Sequence, residues 1–131
     1  MLSKLKKIVV AIAIAVVVLS AWLVHSRRES LAAHARREAA HRTALAPYQR
    51  DLLIGTSRMD VDTYLASKNV KYSTLPGQGS DGPSYEVSLG EEPGDGFVCD
   101  RWSVSILFEF KMALPSDTLR EIRIQEIGHC L

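Results

Sequence analysis

The chain has 131 residues, enough for one small folded domain and an appendage but not for two hydrophobic cores. Its net charge of +1 hides a segregation: +5 over residues 1–28 (Lys4, Lys6, Lys7, Arg27, Arg28, no acid), +1 over 29–54, and −5 over 55–131 (seven basic, twelve acidic residues). This excludes a nucleic-acid-binding globule, which needs its Lys and Arg clustered on the folded part.

Residues 8–24 contain one polar side chain, Ser20. As a helix these 17 residues span about 25 Å, slightly less than a ~30 Å hydrocarbon core; Leu5 and a thinner bilayer would make up the difference. Ile8, Val16, Trp22 and Val24 mark the expected transmembrane anchor, with Trp22 at an interfacial position and basic residues on both sides. A cleaved signal peptide is the competing reading, with a cut after Ser20. The apolar run continues past that cut through Trp22, Leu23 and Val24, and no lipoprotein cysteine follows, which favours an uncleaved anchor. The flanking charges do not orient it, because three lysines and the amino terminus face Arg27, Arg28, Arg36 and Arg37.

The stretch 27–46, rich in Ala and Arg without Gly or Pro, predicts a helical continuation. Its arginines suit lipid headgroups or a solvated face. A seam through Leu31, His34, Glu38, His41, Leu45, Tyr48 and Leu52 carries too many polar residues for a strong coiled coil. His34 and His41, two turns apart, are too distant to share a metal and are expected at the surface. Ala46 precedes Pro47, which predicts a kink and a new short helix from Pro47 to Ile54 with Gly55 as its stop.

Ser57 is a good N-cap for the next helix, and Asp60 three residues on completes an approximate capping box. Val61, Tyr64 and Leu65 share a face, and Asn69 suits a left-handed C-cap. A first strand is expected over 70–75, a turn-rich loop over 76–83, a second strand over 85–89 and an acidic loop over 90–96. Trp102, Val104, Ile106, Phe108, Phe110 and Met112 alternate with Ser103, Ser105, Leu107, Glu109 and Lys111, which predicts a long strand with one buried face. A turn over 114–118 leads to a last strand over 119–127, where the spacing of Ile124 and Ile127 suggests a bulge near Glu126. The expected fold is α+β: a transmembrane helix and helical stalk, then short helices packed on an antiparallel sheet of three or four strands. The expected parts are a cytoplasmic tail (1–7), an anchor (8–24), a stalk (25–54) and an exported domain (55–131).

Cys99 and Cys130 flank the long hairpin, where antiparallel pairing brings its ends together. A disulfide there closes a loop of about 32 residues and contributes roughly 3–4 kcal/mol, useful to a domain this small. Free thiols, or metal ligation with His129 and Asp100, are the alternatives; His129 and Cys130 point to opposite faces of a strand, which disfavours a shared metal. A disulfide requires an oxidising compartment, which places the N-terminus in the cytoplasm and the C-terminal domain in the periplasm or outside the cell, anchored in the inner membrane.

The pattern Gly55, Ser57, Val61, Leu65 followed by an antiparallel sheet resembles the small-protein-A/BamE family. These are envelope lipoproteins of the outer-membrane barrel-assembly machinery, related in fold to β-lactamase inhibitor proteins. The resemblance covers about 77 residues and implies short helices, a three-stranded sheet and an envelope location. The chain departs from the family pattern in lacking a lipidated cysteine, in having Ala66 and Ser67 after Leu65 rather than Gly-x-Pro, and in its Cys99/Cys130 pair. The C-terminal pattern of Cys99, an aromatic-rich strand, and terminal His129, Cys130 and Leu131 is also similar to bacterial membrane-anchored proteins.

No catalytic, cofactor or metal residues are assigned, and the chain is not expected to be an enzyme. Cys99, Asp100 and His129 form a Cys/His candidate, but a disulfide would occupy the thiol, and no oxyanion-hole glycine motif lies nearby. The acids Glu91, Glu92 and Asp95 match no ordered Ca²⁺ ligand set. The expected function is that of a single-pass envelope protein whose acidic domain binds a protein partner, through the loops 76–83 and 90–96 or a sheet edge. A secreted inhibitor or ligand-binding protein released by signal cleavage is the alternative.

Overall fold

A computed structural model describes residues 2–77, 81–94 and 99–130, the side chains of Leu2, Ser3, Leu5 and Asp81 excepted. The elements are α1 (Leu2–Asp51), α2 (Arg58–Ser67), β1 (Ser73–Leu75), β2 (Asp81–Pro93), β3 (Cys99–Lys111) and β4 (Thr118–Cys130). This is the expected α+β arrangement, with a four-stranded sheet in the order β1-β2-β3-β4 and every pairing antiparallel. The chain divides into two compact units, Met1–Ala40 and His41–Leu131.

The first unit is the N-terminal part of α1 alone. Ile8, Val16, Trp22 and Val24 are exposed with the other large apolar residues around them. Ser20 donates its hydroxyl to the Val16 carbonyl at 2.7 Å, so the one polar side chain of the run is satisfied within the helix. Past the apolar run, His25–Glu29 and His34–Glu38 pair at i,i+4 on the exposed surface.

In the second unit α1 continues to Asp51. Ala44, Leu45 and Tyr48 pack against the core, and Leu52, just past the helix, is buried in it. These residues recur at the three- and four-residue spacing that defines one helix face. The stripe is the lower half of the seam tried above as a coiled coil; its partner is the sheet. The break expected at Pro47 does not occur: Pro47 lies inside α1, exposed and off this face. The helix forgoes one backbone bond there, while Tyr48 meets Phe108 edge-on at 5.4 Å and holds the next turn in place. Residues 41–54, expected in the stalk, therefore belong to the folded unit, and the separate helix over 47–54 is replaced by the end of α1 and a turn.

The alternation in β3 directs Val104, Ile106, Phe108 and Phe110 to the buried face, whereas Met112, expected in the same stripe, lies past the end of the strand and is exposed. Opposite them stand Tyr85 and Val87 of β2 and Leu119, Ile122 and Ile124 of β4. From α2, Val61 and Leu65 close the core. Four strand expectations need correction. β1 is shorter than 70–75, β2 begins at Asp81 within the expected 76–83 loop and continues through Glu91 and Glu92, also expected as loop, and β4 runs over Thr118–Cys130 rather than 119–127. The expected bulge near Glu126 is absent, because Ile124 pairs with Ile106 and Ile127 with Ser103 in unbroken register, putting the two isoleucines on opposite faces. The irregularity in β4 lies instead opposite Glu109 and Phe110, where Arg120 is the extra residue. Of the two expected loops, residues 78–80 and 95–96 lie outside the described residues.

Candidate interaction surface

At one end of the sheet Cys99 pairs with Cys130 in the β3–β4 ladder, and the two sulfurs are joined as a disulfide. The expected alternatives of free thiols or a metal shared with His129 and Asp100 do not hold in this structure. His129 instead places Nε2 2.7 Å from the Ser103 hydroxyl, a diagonal neighbour across the ladder.

On the core side of the same end lies a cluster that the sequence reading missed. His41, expected at the surface, has a side chain only 13% exposed. Its Nε2 is 3.1 Å from Glu92 of β2 and its Nδ1 is 3.3 Å from Glu126 of β4. Glu92 stands opposite Trp102, and Glu126 opposite Val104, so both acids share the face on which α1 packs. Of the expected acidic loop, Glu92 is thus tied to α1 and Glu91 to Arg101 at 3.2 Å. Among the described residues no group of three His, Cys, Asp or Glu is arranged to hold a metal ion. The seam pattern through His41, Leu45, Tyr48 and Leu52 was the one available signal for this burial.

The opposite end is built by the turn after α1. Gly55 has φ +94°, a conformation that disfavours any side chain. That turn lays the chain beside the start of β4: Gly55 N–H donates to the Leu119 carbonyl at 2.7 Å, Leu119 N–H to Thr56 at 2.7 Å, and Arg58 N–H to Asp117 at 2.9 Å. Ser57 then caps α2 as expected. Its oxygen accepts from Asp60 N–H at 3.2 Å while its hydroxyl donates to the Asp60 carboxylate at 2.7 Å. Asn69, with φ +54°, closes the helix as expected.

Two tyrosine–aspartate pairs hold α2 to its surroundings. Tyr64 donates to Asp51 at 2.8 Å, and Tyr72 donates to Asp62. Burial, then the Asp51 bond, pushes Tyr64 up to about 12; the Asp62 bond, then burial, does the same for Tyr72. Burial also raises Tyr85. The Arg50 guanidinium and then the Tyr64 hydroxyl hold Asp51 below the usual carboxylate range.

Beside the turn, Gln49, Leu52, Leu53, Ile54, Glu121 and Ile122 line a groove of about 420 Å³ along β4. Leu53 and Ile54 are 71% and 66% exposed. β4 is an edge strand, and beyond Leu119 no described segment pairs with its outer side. The Gln49 side-chain amide donates to the Ile122 carbonyl there at 3.4 Å, and an exposed edge of this kind can pair with another chain.

Compared with family models, curated proteins and solved structures, the chain matches none.

Proposed function

We propose that the protein is a single-pass envelope protein, anchored by residues 8–24, whose acidic domain acts as a protein-interaction module. The observation that carries the reading is the apolar stretch of α1: it is long and apolar enough to cross a bilayer, and its window lies wholly unburied. A helix of that composition needs either lipid or a partner around it. The Cys99–Cys130 disulfide supports an oxidising compartment for the domain, and therefore a cytoplasmic N-terminus. The interaction role is supported by the open β4 edge and its apolar groove.

The test is the mass and partitioning of the mature chain. Full-length mass in the carbonate-resistant membrane fraction is the expected result. A soluble form lacking residues 1–20 would overturn the anchor and favour a secreted inhibitor or ligand-binding protein.

A further inference from the structure

We infer that the outer edge of β4 from Glu121 to Ile127, with the Leu53/Ile54 groove beside it, receives an extended segment of a partner protein as an added strand. This rests on the interaction-module reading and specifies its surface. The edge already accepts a strand-like segment of its own chain, since residues 55–58 pair with Asp117 and Leu119 and Ser57 bridges to Thr118. That ladder stops at Gly55, whose positive φ turns the chain away, while β4 runs on to Cys130. An added strand would continue an established pairing along the β4 backbone, displacing the Gln49 side-chain amide from the Ile122 carbonyl, where it now donates at 3.4 Å. Where the intramolecular segment leaves off, the groove begins: Leu52 and Ile122 form its floor, and Leu53 and Ile54 stand exposed at its rim.

Alternate side chains of an added strand face the same side of the sheet. On the groove side they would meet Ile122, Leu53 and Ile54, which selects apolar residues at every second position. On the far side they would meet Glu121 and Arg123, with Arg123 already committed to Glu109 at 2.7 Å. Glu121 is thus the charge presented there, which favours a basic residue at that point in the partner.

The test uses the full chain in its native membrane, with a photo-crosslinking residue at Glu121, Ile127, Ile54 or, as a control on the stretch of β2 beyond its pairing with β1, Ser88. All four positions are exposed, and a thermal melt of each variant establishes that it is folded. The expected result is that positions 121 and 127 label one continuous partner segment at points about six residues apart, as one-to-one strand pairing demands. The double substitution Leu53→Asp/Ile54→Asp is expected to cut that labelling about fivefold or more. Labelling of this chain's own peptides, or of partner points without that spacing, would overturn the proposal. Labelling from Ser88 alone would overturn the β4 site while sparing the interaction-module reading, and no labelling from any position would overturn both.

Discussion

His41 lies 3.1 Å from Glu92 and, through its other ring nitrogen, 3.3 Å from Glu126, so one imidazole bridges β2 and β4 across the intervening β3. The helix that enters the domain is thereby tied to both sides of its central strand at the point of entry.

Removing the bridge by His41→Ala is expected to lower domain stability by roughly 1 kcal/mol, because both carboxylates keep partial access to water and recover hydration. A double-mutant cycle with Glu92→Gln separates the contact from simple loss of packing. A coupling of about 0.5–1 kcal/mol in chemical denaturation is expected, and a coupling near zero would show that the ring only fills space.

Pro47→Ala is expected to stabilise the domain by about 1 kcal/mol or more. The helix is continuous through this position, Pro47 is exposed, and alanine restores a backbone donor to the helix. A higher midpoint in thermal or urea unfolding is the expected result; a lower midpoint would mean that the proline fixes a geometry on which the docking of Tyr48 depends.

Gly55→Ala is expected to cost roughly 1–2 kcal/mol from backbone conformation alone. The substituted Cβ would meet no atom within 4 Å, so steric crowding contributes nothing. The measurement is the unfolding midpoint. A neutral substitution would contradict the strained turn that seats residues 55–58 against β4.

Alkaline titration tests the tyrosine–aspartate pairs. Tyr64 and Tyr72 are raised to about 12 in the fold, above the ordinary phenol value of about 10, so folding favours their protonated forms. Their stabilising contribution is complete below pH ~10 and is lost as pH rises through ~12. Phenolate absorbance of the native protein should show these two tyrosines ionising last, and Tyr72→Phe should remove part of that late component. Ionisation of all four tyrosines near pH 10 with the fold intact would contradict both pairs.

Legibility in the sequence followed the range of the contacts. Ser57, Asp60 and Asn69 act within a few residues, and their roles could be read directly. The alternation from Val104 to Phe110 identified β3, but not that Ser105 and Leu107 on its other face are buried as well. Pro47 was misread because the local preference of Ala46 and Pro47 is outweighed by packing of Tyr48 and Leu52 on a sheet distant in sequence. His41 was misread for the same reason, since Glu92 lies 51 residues away. Glu91 and Glu92 look like loop residues by composition, yet they pair with Ser103 and Trp102, whose own strand character extends β2. The cysteine pair was legible because the hairpin that joins its members was legible, whereas the groove beside β4 depends on a turn whose exposed Leu53 and Ile54 carry no periodic signal.

The proposed anchor, together with an oxidising compartment for the disulfide, would put the domain across the membrane from the cytoplasm, and thiol labelling in intact cells tests this proposal most directly. The expected result is that Cys99 and Cys130 resist maleimide until a reductant is added, after which a membrane-impermeant reagent labels both. Labelling of both thiols by a permeant reagent in unreduced cells, with none by the impermeant one, would contradict an exported, disulfide-bonded domain.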